Sequence, residues 1–322
     1  MKAFKLPFLV LLGLVLLGVV FNFAVNPYIQ LIVLFAVMNT ILSMSLNLVN
    51  GYTGQFSLGH AGFMAIGAYF AAYANTHWMI FPQSLRILDF FIYACLSGVL
   101  AGFAGLLVGI PSLRLRGDYL AIVTLGFGEI VRAILLNVDT LGGPRGYAGI
   151  PGFNSFIESF AFASFWAVIC FFTIWRLLHS KYGRAFQSVK EDEIAAESVG
   201  INTTMAKVRS FVISSFFAGV AGALFAHFTN YISPSSFTFL QSVNAVIMVV
   251  LGGMGSMSGS IIAAIIVTAI PELLRPLQEV TGVELRMVIY SLMLVLIMIL
   301  RPQGIFGNRE ITDFWRKYVR RS

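Results

Sequence analysis

Ten apolar stretches, near residues 6–24, 28–49, 61–78, 90–110, 119–137, 160–178, 209–230, 240–253, 259–274 and 285–300, set the first limit on how this chain can fold. Most approach the ~20 residues that a helix needs to cross the hydrocarbon of a bilayer. The eighth and ninth are shorter and are separated by little more than "GMGSM". The sequence is 58% hydrophobic and 11% charged, whereas a soluble domain carries roughly a quarter charged residues. No globular core of this size takes up so much apolar material, so the solvent around it is itself apolar. The chain reads as an all-α, polytopic integral membrane protein: one transmembrane domain over residues 1–322, with a polar loop at 179–209 and a basic tail at 301–322.

The N-terminal run "MKAFKLPFLVLLGLVLLGVVFNF" shares its two lysines and apolar core with signal peptides. It is long for one, and no small-residue cleavage site follows it cleanly, so it is taken as the first span. Ten spans with both termini in the cytoplasm put sixteen of the 21 Lys and Arg residues on the cytoplasmic side, Lys2, Arg184, Lys190 and Arg301 among them. The opposite side holds Arg86, Arg145, Arg275 and Arg286, and Arg132 sits within a span. That asymmetry is the positive-inside pattern, and an odd number of spans would break it. The net charge of +7 belongs to these loops, and no nucleic-acid partner is expected. Gly98, Gly102, Gly105 and Gly109, with Ala218 and Gly222, supply faces for close helix contact.

The densest charge lies mid-chain, in "SVKEDEIAAESVGI" (188–201), with Lys190, Glu191, Asp192, Glu193 and Glu197. Ser188 and Glu191 have capping-box spacing, and Gly200 stands where a helix stops. The spacing predicts an eleven-residue helix, Val189–Val199, of roughly 16 Å at 1.5 Å per residue. That is too short to span. On charge alone it is a solvated loop; its small apolar patch (Ile194, Ala195, Val199, Ile201) suits docking to a partner.

"GRAFQSVKEDEIAAESVGIN" resembles the cytoplasmic coupling segment of permeases in ATP-binding-cassette importers, in which Glu is followed by Ala-Ala and then by Gly. "LNLVNGYTGQFSLGHAGFMAIGAY" (46–69), "LRLRGDYLAIVTLGFGEIVR" (113–132), "GGPRGYAGIPG" (142–152) and "VVLGGMGSMSGSIIAA" (249–264) resemble the branched-chain amino acid permeases of the LivM and LivH type. The likeness runs from about residue 40 to residue 305, and the Arg-Leu-Arg-Gly-Asp-Tyr-Leu-Ala run is similar to the LivM branch. The resemblance implies a prokaryotic cytoplasmic (inner) membrane permease subunit working by alternating access. Its implied partners are a second, LivH-like permease, two cytoplasmic ATPases and an extracytoplasmic substrate-binding protein. Gly183, Arg184, Glu193, Ala195, Ala196 and Gly200 then fall in the ATPase-coupling segment.

No G-x-x-x-x-G-K-[ST], H-E-x-x-H or C-x-x-C occurs. The chain is expected to bind no metal, no ATP and no other cofactor, and to carry no catalytic residue; ATP is for partner subunits. Two glycine-rich breaks, "NGYTGQFSLGHAG" (50–62) and "GGMGSMSGS" (252–260), are placed near the cytoplasmic side. Irregular backbone in a membrane is tolerated where protein or a water-filled cavity surrounds it. For the first break two readings stand level. Either Asn50, Thr53, Gln55, Ser57 and His60 line the pathway or its inner gate, or the break is a tight turn; the second break reads as a turn. Glu129 and Arg132, three apart on the fifth span, read as an ion pair within the membrane. The loop "DTLGGPRGYAGIPGF" (139–153) either meets a docking protein or caps the outer mouth.

The expected activity is inward transport of branched-chain or other hydrophobic amino acids. The alternatives are a urea or short-amide permease of the same family, an ion-coupled carrier using Glu129–Arg132, and a passive channel.

Overall fold

The computed structural model of the chain describes residues 2–78, 80–82, 85–112, 117–275, 291–292, 295–296, 299–301, 303–307 and 310. Eleven helices are described: α1 (Lys2–Ala24), α2 (Pro27–Asn47), α3 (His60–His77), α4 (Arg86–Ser112), α5 (Asp118–Asn137), α6 (Phe156–Leu178), α7 (Lys181–Glu191), α8 (Glu193–Ser198), α9 (Thr203–Thr229), α10 (Phe239–Gly252) and α11 (Met257–Leu273). Nine of these match the first nine expected spans, and α7–α8 occupy the polar loop. The tenth expected span, 285–300, and the tail 301–322 lie largely outside the described residues. Five segments, Pro27–Tyr52, Arg86–Pro111, Tyr119–Asn137, Phe156–Leu178 and Thr203–Thr229, are long and apolar enough to cross a membrane, and shorter apolar helices accompany them. The architecture is all-α and polytopic.

Helix α9 is the axis of the molecule, buried along most of its length and packed on α2, α3 and α4. Lipid supplies no hydrophobic drive between helices, so close backbone approach does the work. A Cβ on Gly219 would lie 2.5 Å from Ala101 Cβ and 2.6 Å from the Ser97 carbonyl oxygen of α4, while Gly67 of α3 meets the Gly219 carbonyl from the other side. The Ser97 hydroxyl completes the seam by donating to the Gly67 carbonyl at 3.0 Å.

At the far end of α9, Asn230 takes the left-handed conformation (φ +56°) and turns the chain into a short antiparallel bridge, with Tyr147 opposite Ile232. His227 lies beneath it. Its Nδ1 is 2.8 Å from the Pro151 carbonyl oxygen and its Nε2 is 3.0 Å from Asn75 Nδ2, which suits the neutral ring protonated on Nδ1. The Gly/Pro-rich loop 139–153 is thereby fastened to α3 and α9.

Helix α10 has 14 residues, a length of ~21 Å against the ~30 Å of a bilayer's hydrocarbon. Ile232, Pro234 and Phe237, in the irregular chain that precedes it, are buried, and the Phe237 ring packs on Tyr69 of α3 and Phe225 of α9. The short bridge and 3-10 turn that lead into α10 are therefore anchored on α3 and α9 by these side chains.

The single helix expected at Val189–Val199 is corrected to two. Helix α7 starts earlier, at Ser180, whose hydroxyl accepts from Tyr182 N at 3.1 Å. Ser188 lies inside α7 and donates to the Arg184 carbonyl at 2.9 Å, so it caps nothing. Asp192 breaks the helix, because its extended backbone lets the carboxylate cap α8 by accepting from Ile194 N (2.8 Å) and Ala195 N (3.0 Å). Gly200 does end the segment, with φ +83°.

Candidate functional site

The polar residues singled out in the first break converge on one buried cluster. Helix α2 unwinds into a π-helical turn, Leu48–Tyr52, and the chain runs extended to α3. Asn50 Oδ1 accepts from Ser57 N at 3.1 Å, which folds the segment back on itself. Thr53 donates to the Val49 carbonyl at 2.8 Å and lies 3.3 Å from the Ser210 hydroxyl of α9. The Ser57 hydroxyl accepts from Gly59 N at 3.4 Å. His60 Nε2 is 3.1 Å from the Ser45 hydroxyl of α2 and 3.4 Å from that of Ser214 on α9. Asn50, Thr53, Gln55, Ser57 and His60 are all buried.

Ser214 stands eleven residues into α9, ~16 Å along its axis. The break therefore packs against the body of α9, roughly two to three helical turns beyond its first residue. Several buried polar atoms here have no partner among the described residues: Asn50 Nδ2, both side-chain polar atoms of Gln55, and His60 Nδ1. A buried polar group without a partner is costly, and a route for a polar solute is one place where such groups find use.

Residues that sequence reasoning missed complete the cluster. Thr124 of α5 accepts from Leu58 N at 3.0 Å, and Ser242 of α10 accepts from Ala61 N at 3.0 Å. The start of α3 is thus held by side chains from two other helices. The sequence carried one usable signal: Ser210 and Ser214 are four apart within an apolar run, on one helix face.

The second break is a tight turn joining α10 to α11. Asn47, at the end of α2, holds it: Oδ1 accepts from Gly255 N (2.9 Å), and Nδ2 donates to the Ser256 carbonyl (2.9 Å) and to Ser260 Oγ (2.8 Å). Asn47→Ala deletes three buried hydrogen bonds at ~1 kcal/mol each. The expected result is a marked drop in the melting temperature of the detergent-purified protein, read by light scattering.

The residues that the resemblance placed in a coupling segment divide by exposure. Arg184, Ala195 and Gly200 are exposed, Gly183 and Ala196 are buried against the body, and Glu193 lies between. Glu193 Oε1 is 2.5 Å from Lys207 Nζ, and Glu197 Oε1 accepts from Thr203 Oγ1 at 2.7 Å, so α8 is bolted to the first turns of α9. Ile194 (65% exposed) and Val199 (76%) project from the same segment. Glu129 and Arg132 do pair, at 2.8 Å, with both side chains about a third exposed on α5.

The chain matches, over residues 28–298, the family described as "Branched-chain amino acid transport system / permease component". The chain belongs to this permease family. The permease is 39% identical to the "High-affinity branched-chain amino acid transport system permease protein LivM" of Escherichia coli K12, over 92% of this chain and 74% of that one. It is 26% identical to a probable LivM of Methanocaldococcus jannaschii, covering 88% and 94% of the two chains. The similarity to E. coli LivH is 34% over 133 residues, 41% of this chain and 42% of that one. The permease is LivM-like, as the Arg-Leu-Arg-Gly-Asp-Tyr-Leu-Ala run implied. No solved structure matches it.

Proposed function

We propose that this chain is a permease subunit of an ATP-binding-cassette importer that carries branched-chain amino acids into a prokaryotic cell across the cytoplasmic membrane. The observation that carries the reading is the 39% identity to E. coli LivM across 92% of the chain. A LivH-like subunit pairs with it, two ATPases hydrolyse ATP on the cytoplasmic side, and a binding protein delivers the amino acid near loop 139–153. The relatives described above are named neither as urea permeases nor as ion-coupled carriers.

The geometry suits such work. The exposed Ile194 and Val199, flanking the α8 carboxylates, present a docking surface to an ATPase. A push on α8 passes through Glu193–Lys207 and Glu197–Thr203 into α9. Helix α9 touches Thr53 through Ser210 and lies beside His60 through Ser214. Movement of α9 thus acts on the cluster at the first break, where backbone dipoles and Asn50, Gln55 and His60 meet the substrate's ammonium and carboxylate. No residue of this chain performs chemistry.

The test is uptake of radiolabelled leucine into proteoliposomes holding the full complex with its binding protein. Uptake that needs internal ATP and survives a protonophore is the expected result. Uptake by the purified single chain that a protonophore abolishes overturns the reading in favour of an ion-coupled carrier.

A further inference from the structure

Glu310, which follows the expected last span, reaches back into both chain breaks. Its Oε1 accepts from Met257 N at 2.7 Å and from the Tyr52 hydroxyl at 3.2 Å. Its Oε2 accepts from Ser258 N at 3.1 Å and from Ser258 Oγ at 2.6 Å. Met257 and Ser258 open α11, so the carboxylate sits at the positive end of that helix and its hydrogen bonds are charge-assisted. Tyr52 closes the π-helical turn of the first break. One side chain therefore ties the end of the α2 extension to the start of α11. The chain leading to it is stitched to α10, with Ile305 N donating to the Leu251 carbonyl at 2.8 Å and Phe306 N to that of Gly252 at 3.2 Å.

The coupling segment touches the same assembly. Lys190, at the end of α7, lies over Gly54, two residues past Tyr52, where a Cβ would fall 3.2 Å from Lys190 Cγ. Between α7, the first break and the chain at 300–307 lies a cleft of roughly 1160 Å³, lined by Asn50, Gly54, Lys190, Met254, Arg301 and Phe306 among others. It leaves α7 room to move relative to the C-terminal segment while the Glu310 contacts stay closed.

We infer that Glu310 is a positioning residue that clamps the inner ends of the two breaks together, so that a displacement of α7 reaches both at once. The inference rests on the importer reading. Asn47 ties α2 itself to the α10–α11 turn, so without the Glu310 clamp α7 shifts the π-helical turn at Tyr52 while α11 stays with α2. The ATPases then turn over without the matching passage of substrate. The loss falls on coupling rather than on assembly.

The test uses the full complex in proteoliposomes and measures ATP hydrolysed per leucine taken up. Glu310→Gln keeps the shape and removes the charge; it is expected to raise that ratio about fivefold, a coupling change of the size a single network residue carries, with the amount of assembled complex unchanged. Glu310→Asp, which retains the carboxylate, recovers part of the loss. Tyr52→Phe raises the ratio less, and adding it to Glu310→Gln raises it less than it does alone, because the Tyr52 contact is one of the four that the loss of charge already weakens. If Glu310→Gln does not assemble, Tyr52→Phe and Ser258→Ala, each deleting one donor, carry the same measurement with a rise of about twofold expected. A merely structural role lowers transport and ATP hydrolysis in proportion, and an unchanged ratio in the assembled variants overturns the inference. If the wild-type complex shows no ATP-dependent uptake, the importer reading itself falls and takes this inference with it.

Discussion

Gly219→Leu is expected to leave the chain inserted in the membrane but unable to pack. The new side chain starts from a Cβ that already meets Ala101 Cβ and the Ser97 carbonyl of α4, while Gly67 of α3 closes the other side. The Ser97 carbonyl is backbone, which cannot swing aside as a side-chain tip does. Overpacking a tight core costs ~1–3 kcal/mol and sometimes more; here α9 cannot retreat from α4 without pressing on Gly67 of α3, so the cost lies at or above the top of that range. The readout is the fraction of monodisperse protein after extraction and mild heating, followed by size-exclusion chromatography. Gly126→Leu on α5, where a Cβ meets nothing within 4 Å, is the matched control and should behave as wild type. A monodisperse, heat-resistant Gly219→Leu protein would falsify the packing argument.

Glu193→Lys is expected to abolish most ATP-driven transport, and Lys207→Glu added to it is expected to restore much of what was lost. The Lys207 side chain is only 8% exposed, so losing its carboxylate strands a buried cation, a change worth ~3–5 kcal/mol. Facing it with a second cation drives α8 away from α9. In the proposed function that contact carries the ATPase stroke, so uptake should fall about tenfold or more, each tenfold being 1.4 kcal/mol. The charge-swapped double variant rebuilds the pair in reverse. Glu191→Lys, exposed on the end of α7, serves as the surface-charge control. If the double variant stays as inactive as Glu193→Lys, the pair is not the link, and Glu193 acts by meeting the ATPase directly.

The spans were legible because each is governed by a local rule: about 20 apolar residues, bounded by polar or glycine-rich chain. The family was legible for a different reason, since long motifs carry identity without any appeal to physics. The helix expected at Val189–Val199 was misread in detail. Ser188 with Glu191 and Asp192 preceding Ile194 are both credible caps, and the choice was settled by where α7 had already begun, which depends on the chain turning tightly after α6. The burial of the first break among other helices was not legible at all. It follows from Ser45, Ser214, Thr124 and Ser242 arriving from four different helices. Glu310 was invisible for the same reason, because nothing in "GNREIT" announces a partner at Tyr52 or Met257.

The brevity of α10 has a consequence for how the protein is made. A translocation machine that sorts segments by hydrophobic length meets 14 helical residues in α10 and 17 in α11, joined by a turn too tight to separate them. Neither is a comfortable lone passenger in lipid, so the two are best released as a hairpin, after α9 is already in place to receive the buried chain around Phe237. Ribosomes stalled just after α11 should therefore hold a nascent chain whose last two helices can be cross-linked to α3 and α9, whereas chains deleted for α9 should leave that hairpin beside the insertion machinery.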